Sequence, residues 1–546
     1  MVAGVQAPAQ TAPPESHKTA FRPWLVVLLI LVSVACLRLR LLDTPLERDE
    51  GEYAYAGQLI LQGIPPYELA YNMKLPGTYF AYAAGMAVFG QTPAGVHLTL
   101  VVVNSLTSIF VFLLGRRLFG VLAGLSACTV FAFMSLSPAV LGLSAHATQF
   151  VVLCATPGVW LLWAALSTGR KRTLFLAGLL LGMAILMKQP GLCFALFALV
   201  MLTWQAGQQR VILTRAFALT MCCFGLGLVL PLAFFGVATI LAGDFGRFYF
   251  WVFGYASAYA GERSLSDGLQ LLAWYVYDLA FPYYCGYWLL AAAGLLLALR
   301  GLGKSKALQF SLVFFACSFL GTTPGLYFRE HYFVLLLPAF ALVLGGGIEQ
   351  WARRSPGWRR WVPPGLLVLV LAVSMGQNWL FWFRWTPEEV CLGLYRGNPF
   401  RESQLIAQYI RDHSKPDARM AVLGSEPQLY FLAQRHSVTG YIYTYPLMEK
   451  QPYATFMQKE MSQEIETAKP EFLVLVTYRL SWLSSPDSNL AIRAWMRRYA
   501  TEFYDPVLAF HQRPDGRTEL ADEAAASQFS DPPAESMVLY RRKPVP

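Results

Sequence analysis

Eleven apolar runs punctuate the first 382 residues, at 24–42, 93–115, 119–139, 148–167, 173–188, 191–207, 216–241, 283–299, 307–325, 332–349 and 363–382. A helix of about 17–25 apolar residues matches the hydrocarbon thickness of a bilayer. Inside lipid the backbone can bond only to itself, so such runs must be helices. The chain therefore reads as a polytopic α-helical membrane protein. Composition agrees: 56% of residues are hydrophobic and 14% charged, where a soluble chain carries roughly 25% charged residues. The first run follows a polar stretch with Lys18 and Arg22, and Arg38 and Arg40 stand where a signal cleavage site would fall, so it reads as a retained helix. The shorter run 77–90 reads as an interfacial helix.

Charge sets the expected orientation. With the N-terminus cytoplasmic, the inner loops carry Arg116-Arg117, Arg170-Lys171-Arg172, Arg210 with Arg215, Lys304 with Lys306, and Arg353-Arg354 with Arg359-Arg360. Glu349 is the one acid among them, while Asp43 to Glu68 and Asp244 to Asp278 fall outside. This is the positive-inside pattern. The basic excess belongs to residues 1–382, with 24 Lys and Arg against 13 Asp and Glu; residues 383–546 hold 19 against 20. It needs no nucleic-acid partner to explain it.

Eleven spans place 383–546 outside the cytoplasm. There the pattern predicts strands at Met420–Gly424, Phe472–Val476 and Met537–Tyr540, and helices at Ser403–His413 and Gln428–Arg435, with loops through Pro514-Asp515-Gly516 and Ala524-Ala525-Ala526. The expected organisation is a membrane domain, 1–382, with a first outer loop at 43–92, and a small extracytoplasmic α/β domain, 383–546. Eight of the nine cysteines lie in or beside apolar segments and only Cys391 lies in the tail. That excludes a disulfide framework there, and no CxxC or His/Cys cluster suggests zinc.

The first outer loop carries the chemistry. Glu47-Arg48-Asp49-Glu50-Gly51-Glu52-Tyr53 is followed by Met73-Lys74-Leu75-Pro76-Gly77. Acids favour a helix N-terminus, but a cap needs only one. Carboxylates beside a bilayer are costly and do nothing for insertion. A carboxylate that can take a proton and a lysine that can neutralise a phosphate, held in one outer loop, point to chemistry on a lipid-linked phosphate.

Arg48-Asp49-Glu50-Gly51-Glu52-Tyr53, Gly63-Ile64-Pro65-Pro66-Tyr67 and Lys74-Leu75-Pro76-Gly77-Thr78-Tyr79, taken together, resemble the first periplasmic loop of the polyprenyl-phosphate-sugar-dependent integral membrane glycosyltransferases. These include the protein O-mannosyltransferases and the lipid A aminoarabinose transferases, and share the GT-C fold. Colinear matches follow at Gly178–Pro190, at Arg329-Glu330-His331-Tyr332-Phe333 with Leu337-Pro338, and at Val422–Tyr430. The resemblance implies that Asp49 is the catalytic base, with Glu50 beside it, and that Lys74 contacts the lipid phosphate. Glu52 stands where the aminoarabinose transferases carry an arginine, a departure that leaves the donor sugar unassigned.

Arg329, His331 and Lys188 are either helix-end groups or further phosphate contacts. Glu52, Tyr53, Tyr67 and Tyr71 are candidates to line the substrate site. Arg38 and Arg40 are expected at lipid head groups, and His97 and His146 as packed side chains. The aromatic stretch 248–287 reads first as an interfacial belt and second as a stacking surface for sugar or isoprenoid.

The expected activity is inverting transfer of a monosaccharide from a polyprenyl-phosphate donor to a lipid, glycan or protein hydroxyl. Such transfer needs one carboxylate base rather than the flanking pair of a glycosidase. The alternatives are a transporter or flippase of a lipid-linked or small polar substrate, and a non-catalytic subunit that keeps the fold. With no Walker or Rossmann pattern, no nucleotide cofactor is expected; no metal ligand set is assigned, and a divalent cation at Asp49 and Glu50 stays open. The expected location is a bacterial inner membrane.

Overall fold

The computed structural model describes residues 17–261, 263–299, 305–513, 518–529 and 531–544. Lys304 and the loop expected at 514–516 lie outside these described residues. Each of the eleven apolar runs lies largely within helix. Among the described residues, eight helices are long and apolar enough to cross a membrane, from Arg22–Leu39 to Gly357–Gln377; Val121–Met134 and Lys306–Leu320 are shorter apolar helices. Lys171–Met187 completes the set, wedged between Ala147–Thr168 and Arg215–Leu241. The wedge is tight because a Cβ on Gly182 would fall 2.2 Å from the carbonyl oxygen of Leu228. Small residues at such contacts let helix backbones approach in lipid.

One span is longer than its apolar core. The run at 283–299 is part of a longer helical stretch, Leu265–Leu297, that passes through a π-helical turn at Tyr275–Ala280. No proline and only Gly268 interrupts 265–281, and the aromatic stretch expected as a belt is helical over both 248–260 and 265–287. The run at 332–349 begins as a tight 3₁₀ segment, Glu330–Leu336, before the α-helix Leu337–Arg354. Pro338 sits in its first turn, where a missing N–H costs nothing.

Beyond the last membrane helix the chain builds one six-stranded sheet. Its strands are β1 (Arg419–Leu423), β2 (His436–Ser437), β3 (Phe472–Val476), β4 (Tyr504–Gln512), β5 (Thr518–Ala521) and β6 (Ser536–Arg542), in the order β2-β1-β3-β6-β4-β5. The β2-β1-β3 half is parallel and the β3-β6-β4-β5 half antiparallel. β3 is buried along its whole length, as its uninterrupted Phe-Leu-Val-Leu-Val requires. β4 contains Pro506, and its ladder to β6 shifts register between Pro506 and Leu508. A proline cannot donate to a ladder, so it is confined to edges and irregularities.

The sheet domain sits on the segment 43–92 that follows the first membrane helix. Helix Arg48–Leu61 packs against Gln428–Ala433. Tyr55 stacks on Tyr430 at 5.1 Å, its hydroxyl accepts from the Ser437 N–H at 2.9 Å, and the Tyr71 N–H donates to the Gly440 carbonyl at 2.7 Å.

Candidate functional site

The acidic cluster divides its labour by geometry. Helix Arg48–Leu61 opens with a capping box: the Glu47 carboxylate accepts from the Glu50 N–H at 2.8 Å and the Glu50 carboxylate from the Glu47 N–H at 3.4 Å. Two acids thus satisfy orphan N–H groups. Glu50 also accepts from the Ala145 N–H at 2.6 Å and lies 3.3 Å from His97 Nε2, while His97 Nδ1 meets the Leu42 carbonyl. The Asp49-Glu50 pair is therefore split, with Glu50 turned into the protein.

Asp49 faces the other way. Its Oδ1 accepts from Lys74 Nζ at 2.9 Å and from the Tyr443 hydroxyl at 3.1 Å. Lys74 Nζ also donates to Glu52 at 2.6 Å, and the other Glu52 oxygen accepts from the Tyr79 hydroxyl at 2.6 Å. Tyr53 lies beneath the ammonium at 4.5 Å, and the Tyr67 hydroxyl donates to the Lys74 carbonyl. Asp49 keeps 24% of its side chain exposed, against 0% for Glu52 and 1% for Glu50. It alone of the three can meet a substrate.

It does so in a cavity of about 370 Å³ between one end of the membrane helices and the sheet domain. Of the residues singled out in the sequence, Asp49, Lys74, Lys188, Arg329, His331 and Tyr71 line it. Glu50, Glu52, Tyr53 and Tyr67 are not in its wall. Lys188 ends helix Lys171–Met187, with its ammonium 4.5 Å from the Tyr332 ring centre. Gln189 next to it donates to the Met73 carbonyl, tying this corner to the Lys74 loop. Arg329 follows a contorted segment in which Gly325, Leu326 and Phe328 all have positive φ. Non-glycine residues rarely hold that conformation without surrounding support. Among the described residues, neither Lys188 nor Arg329 has a carboxylate within ion-pair distance, whereas Lys74 has two.

The local field follows from this placement. Burial pushes the Asp49 carboxyl up, but Lys74, His331, His146 and Lys188 together hold it well below the usual range. Burial lowers Lys74, and Asp49 with Glu52 more than restores it. Burial brings Lys188 down to about 7, with Lys74 and Arg329 adding to the shift and Asp49 opposing it.

His146 is not simply packed. It stacks on His331 at 4.1 Å, and its Nδ1 stands 3.8 Å from Asp49 Oδ2. Burial lowers it to about 4, so the ring is neutral near pH 7, and neither ring nitrogen has a hydrogen-bond partner. One ligand atom each from Asp49, His146 and His331 lies within 4.8 Å of the others. Orphaned imidazole nitrogens beside a carboxylate suit a divalent cation. Arg38 also departs from expectation, whereas Arg40 stays exposed. Arg38 is buried and donates to the Gly142 and Ser135 carbonyls, and Arg40 donates to those of Trp385 and Phe381. Helix ends and irregular segments leave carbonyls that need donors.

The tail supplies residues that periodicity did not flag: Tyr443, Tyr445, Glu449 and Leu483 also line the cavity. Arg48 fixes the domain, donating to Glu426 at 2.6 Å, to Asn398 at 3.1 Å and to the Ser425 carbonyl. A Cβ on Gly51 would lie 2.5 Å from Gln428, so only glycine permits this contact. The motif Gly424-Ser425-Glu426-Pro427-Gln428 is thus the docking surface for the acidic loop.

Fold and site define an integral membrane protein of the GT-C fold with a cation-lined cavity at one end of its helices. The family described as dolichyl-phosphate-mannose-protein mannosyltransferase matches residues 74–235. Undecaprenyl phosphate-alpha-4-amino-4-deoxy-L-arabinose arabinosyl transferase of Pseudomonas aeruginosa is 29% identical over 243 residues, 42% of this chain and 42% of that protein. The match thus spans less than half the length of these curated relatives. Among solved structures, ArnT from Cupriavidus metallidurans bound to undecaprenyl phosphate aligns with a TM-score of 0.53 at 16% identity, over 82% of this chain and 93% of that one. The apo oligosaccharyltransferase of Archaeoglobus fulgidus aligns with a TM-score of 0.52 at 14% identity, over 97% of this chain and 77% of its own.

Proposed function

We propose that this protein transfers a monosaccharide, with inversion, from a polyprenyl-phosphate donor to an acceptor hydroxyl at the outer face of a bacterial inner membrane. The observation that carries the reading is the Asp49 carboxylate opening into a cavity that also holds Lys188 and Arg329, two cations without carboxylate partners among the described residues. The relatives named for lipid-phosphate-linked donors support the donor class. The basic inner loops support an extracytoplasmic tail and site.

In this reading Asp49 removes the proton from the acceptor hydroxyl. The acceptor oxygen bonds to the anomeric carbon as the bond from that carbon to the phosphate oxygen breaks. The departing polyprenyl phosphate gains negative charge, which Lys188 and Arg329 stabilise. Tyr443 and Lys74 both donate to Oδ1 and so hold the carboxylate in place. The surrounding cations keep Asp49 ionised, the form a base requires, and an arriving phosphate offsets them and returns proton affinity to it. Glu52 holds Lys74 rather than substrate.

Asp49, His146 and His331 would hold a divalent cation, which would add charge neutralisation beside the leaving phosphate. The protein's own groups still bind the phosphate and move the proton.

The test is transfer by the purified protein in detergent. Undecaprenyl-phosphate monosaccharides are supplied with lipid, glycan and peptide acceptors, and products are read by mass spectrometry. Glycosylated acceptor and free undecaprenyl phosphate in equal amounts are expected; uptake into proteoliposomes without any transfer would favour a transporter.

A further inference from the structure

The cavity has a wall that proton transfer and phosphate binding leave unused. It is built from Trp251, Tyr255, Tyr259, Tyr327, Arg263 and Glu449. Trp251 is 1% exposed and immobilised: Tyr71 stacks on it at 5.7 Å, and Tyr255 and Tyr441 meet it edge-on at 5.2 and 5.9 Å. Its indole Nε1 nonetheless has no hydrogen-bond partner. An indole N–H can only donate, and a buried donor left unmade is costly. Glu449 accepts from the Tyr255 hydroxyl, and a carboxylate can accept from several hydroxyls at once. Tyr259 and Tyr327 stack at 4.8 Å with their planes 6° apart, and the Arg263 guanidinium lies 4.3 Å from the Tyr327 ring centre. Rigid aromatic faces, one unsatisfied donor and one carboxylate acceptor make a surface for a ring that is apolar on its faces and hydroxylated at its rim.

We propose that this wall is a saccharide subsite. Trp251 Nε1 donates to an oxygen of a sugar ring, Glu449 accepts from one of its hydroxyls, and the tyrosines cover its face. The subsite rests on the glycosyl-transfer reading. A cavity of about 370 Å³ suits one ring beside its phosphate, since ligand pockets run from roughly 300 to 1,000 Å³. The ring belongs either to the donor or to the acceptor, and binding separates the two.

Trp251→Phe removes the donor and keeps an aromatic ring; Glu449→Gln removes the charge and keeps the shape. Affinities of the full chain and both variants are measured in detergent for undecaprenyl phosphate and for undecaprenyl-phosphate monosaccharides. For a donor sugar, the parent prefers a glycosylated lipid, and each variant loses about tenfold of that preference while still binding bare undecaprenyl phosphate. For an acceptor sugar, both lipids bind the variants as they bind the parent, and the acceptor KM rises about tenfold with kcat retained. The subsite is overturned if the parent binds glycosylated and bare lipid alike and neither variant changes the acceptor KM. It is equally overturned if both variants lose bare-lipid binding, which would make these residues purely structural. The binding arm needs no turnover, so it judges a donor-sugar subsite even where the transfer reading fails.

Discussion

The Tyr443 hydroxyl lies 3.1 Å from the Asp49 carboxylate and 3.1 Å from the Arg48 carbonyl, so a residue of the sheet domain holds the candidate base of the membrane domain. The tyrosine is itself anchored next door, where Thr444 and Ser425 bond through both backbone and side chain. Tyr443→Phe removes one of two donors to Oδ1 and leaves the ring. Because small misplacement of a reacting group is expensive, kcat is expected to fall about tenfold with donor affinity within twofold and thermal stability retained. Unchanged kcat would confine Tyr443 to packing.

Lys188 gives donor binding a pH dependence. Its pKa, lowered to about 7 by burial first, means that the empty site loses this cation as pH rises through neutrality. Phosphate prefers the protonated form, so affinity is expected to be flat below about pH 7 and to fall as much as tenfold per pH unit above it. Lys188→Arg, which keeps its charge, moves the fall to higher pH. Titrations of undecaprenyl phosphate binding from pH 6 to 9 read this directly, and a profile identical in the two proteins would remove Lys188 from the phosphate site.

The neutral, unpartnered His146 beside Asp49 and His331 predicts bound metal. Elemental analysis of purified protein is expected to find about one divalent ion per chain, lost in His146→Ala and in His331→Ala. Equal metal content in all three would leave the trio without that role.

Much of the membrane half was legible because lipid permits one solution to backbone hydrogen bonding, and apolar runs report it directly. The loop acids and cations were legible as well, since charge at a bilayer surface stands out. Their pairing was not. Nothing in the spacing says that Glu50 would serve Ala145 and His97, or that Lys74 would be shared between Asp49 and Glu52; both depend on contacts across dozens of residues. His146 looked like a packing residue because its partners, Asp49 and His331, are distant in sequence. In the tail, the two-residue β2 and the proline-bearing β4 carry too little period to read, and Tyr443 and Glu449 flank a single helical turn, Tyr445–Met448, that is too short to show one.

Topology is tested by protease access. Added to spheroplasts, protease should remove residues 383–546 and spare the basic stretch around Arg353 and Arg359. A protected tail would overturn the outward placement of the site.

The central claim is that Asp49 takes the acceptor's proton, and Asp49→Asn addresses it most directly. The amide keeps the shape and still offers an oxygen to Lys74 and Tyr443, but it cannot accept a proton as a base. Turnover is expected to fall by about 10²–10⁴, with donor affinity within a few-fold of the parent and an intact thermal transition. Near-parental turnover by a folded, donor-binding Asp49→Asn protein would contradict the account.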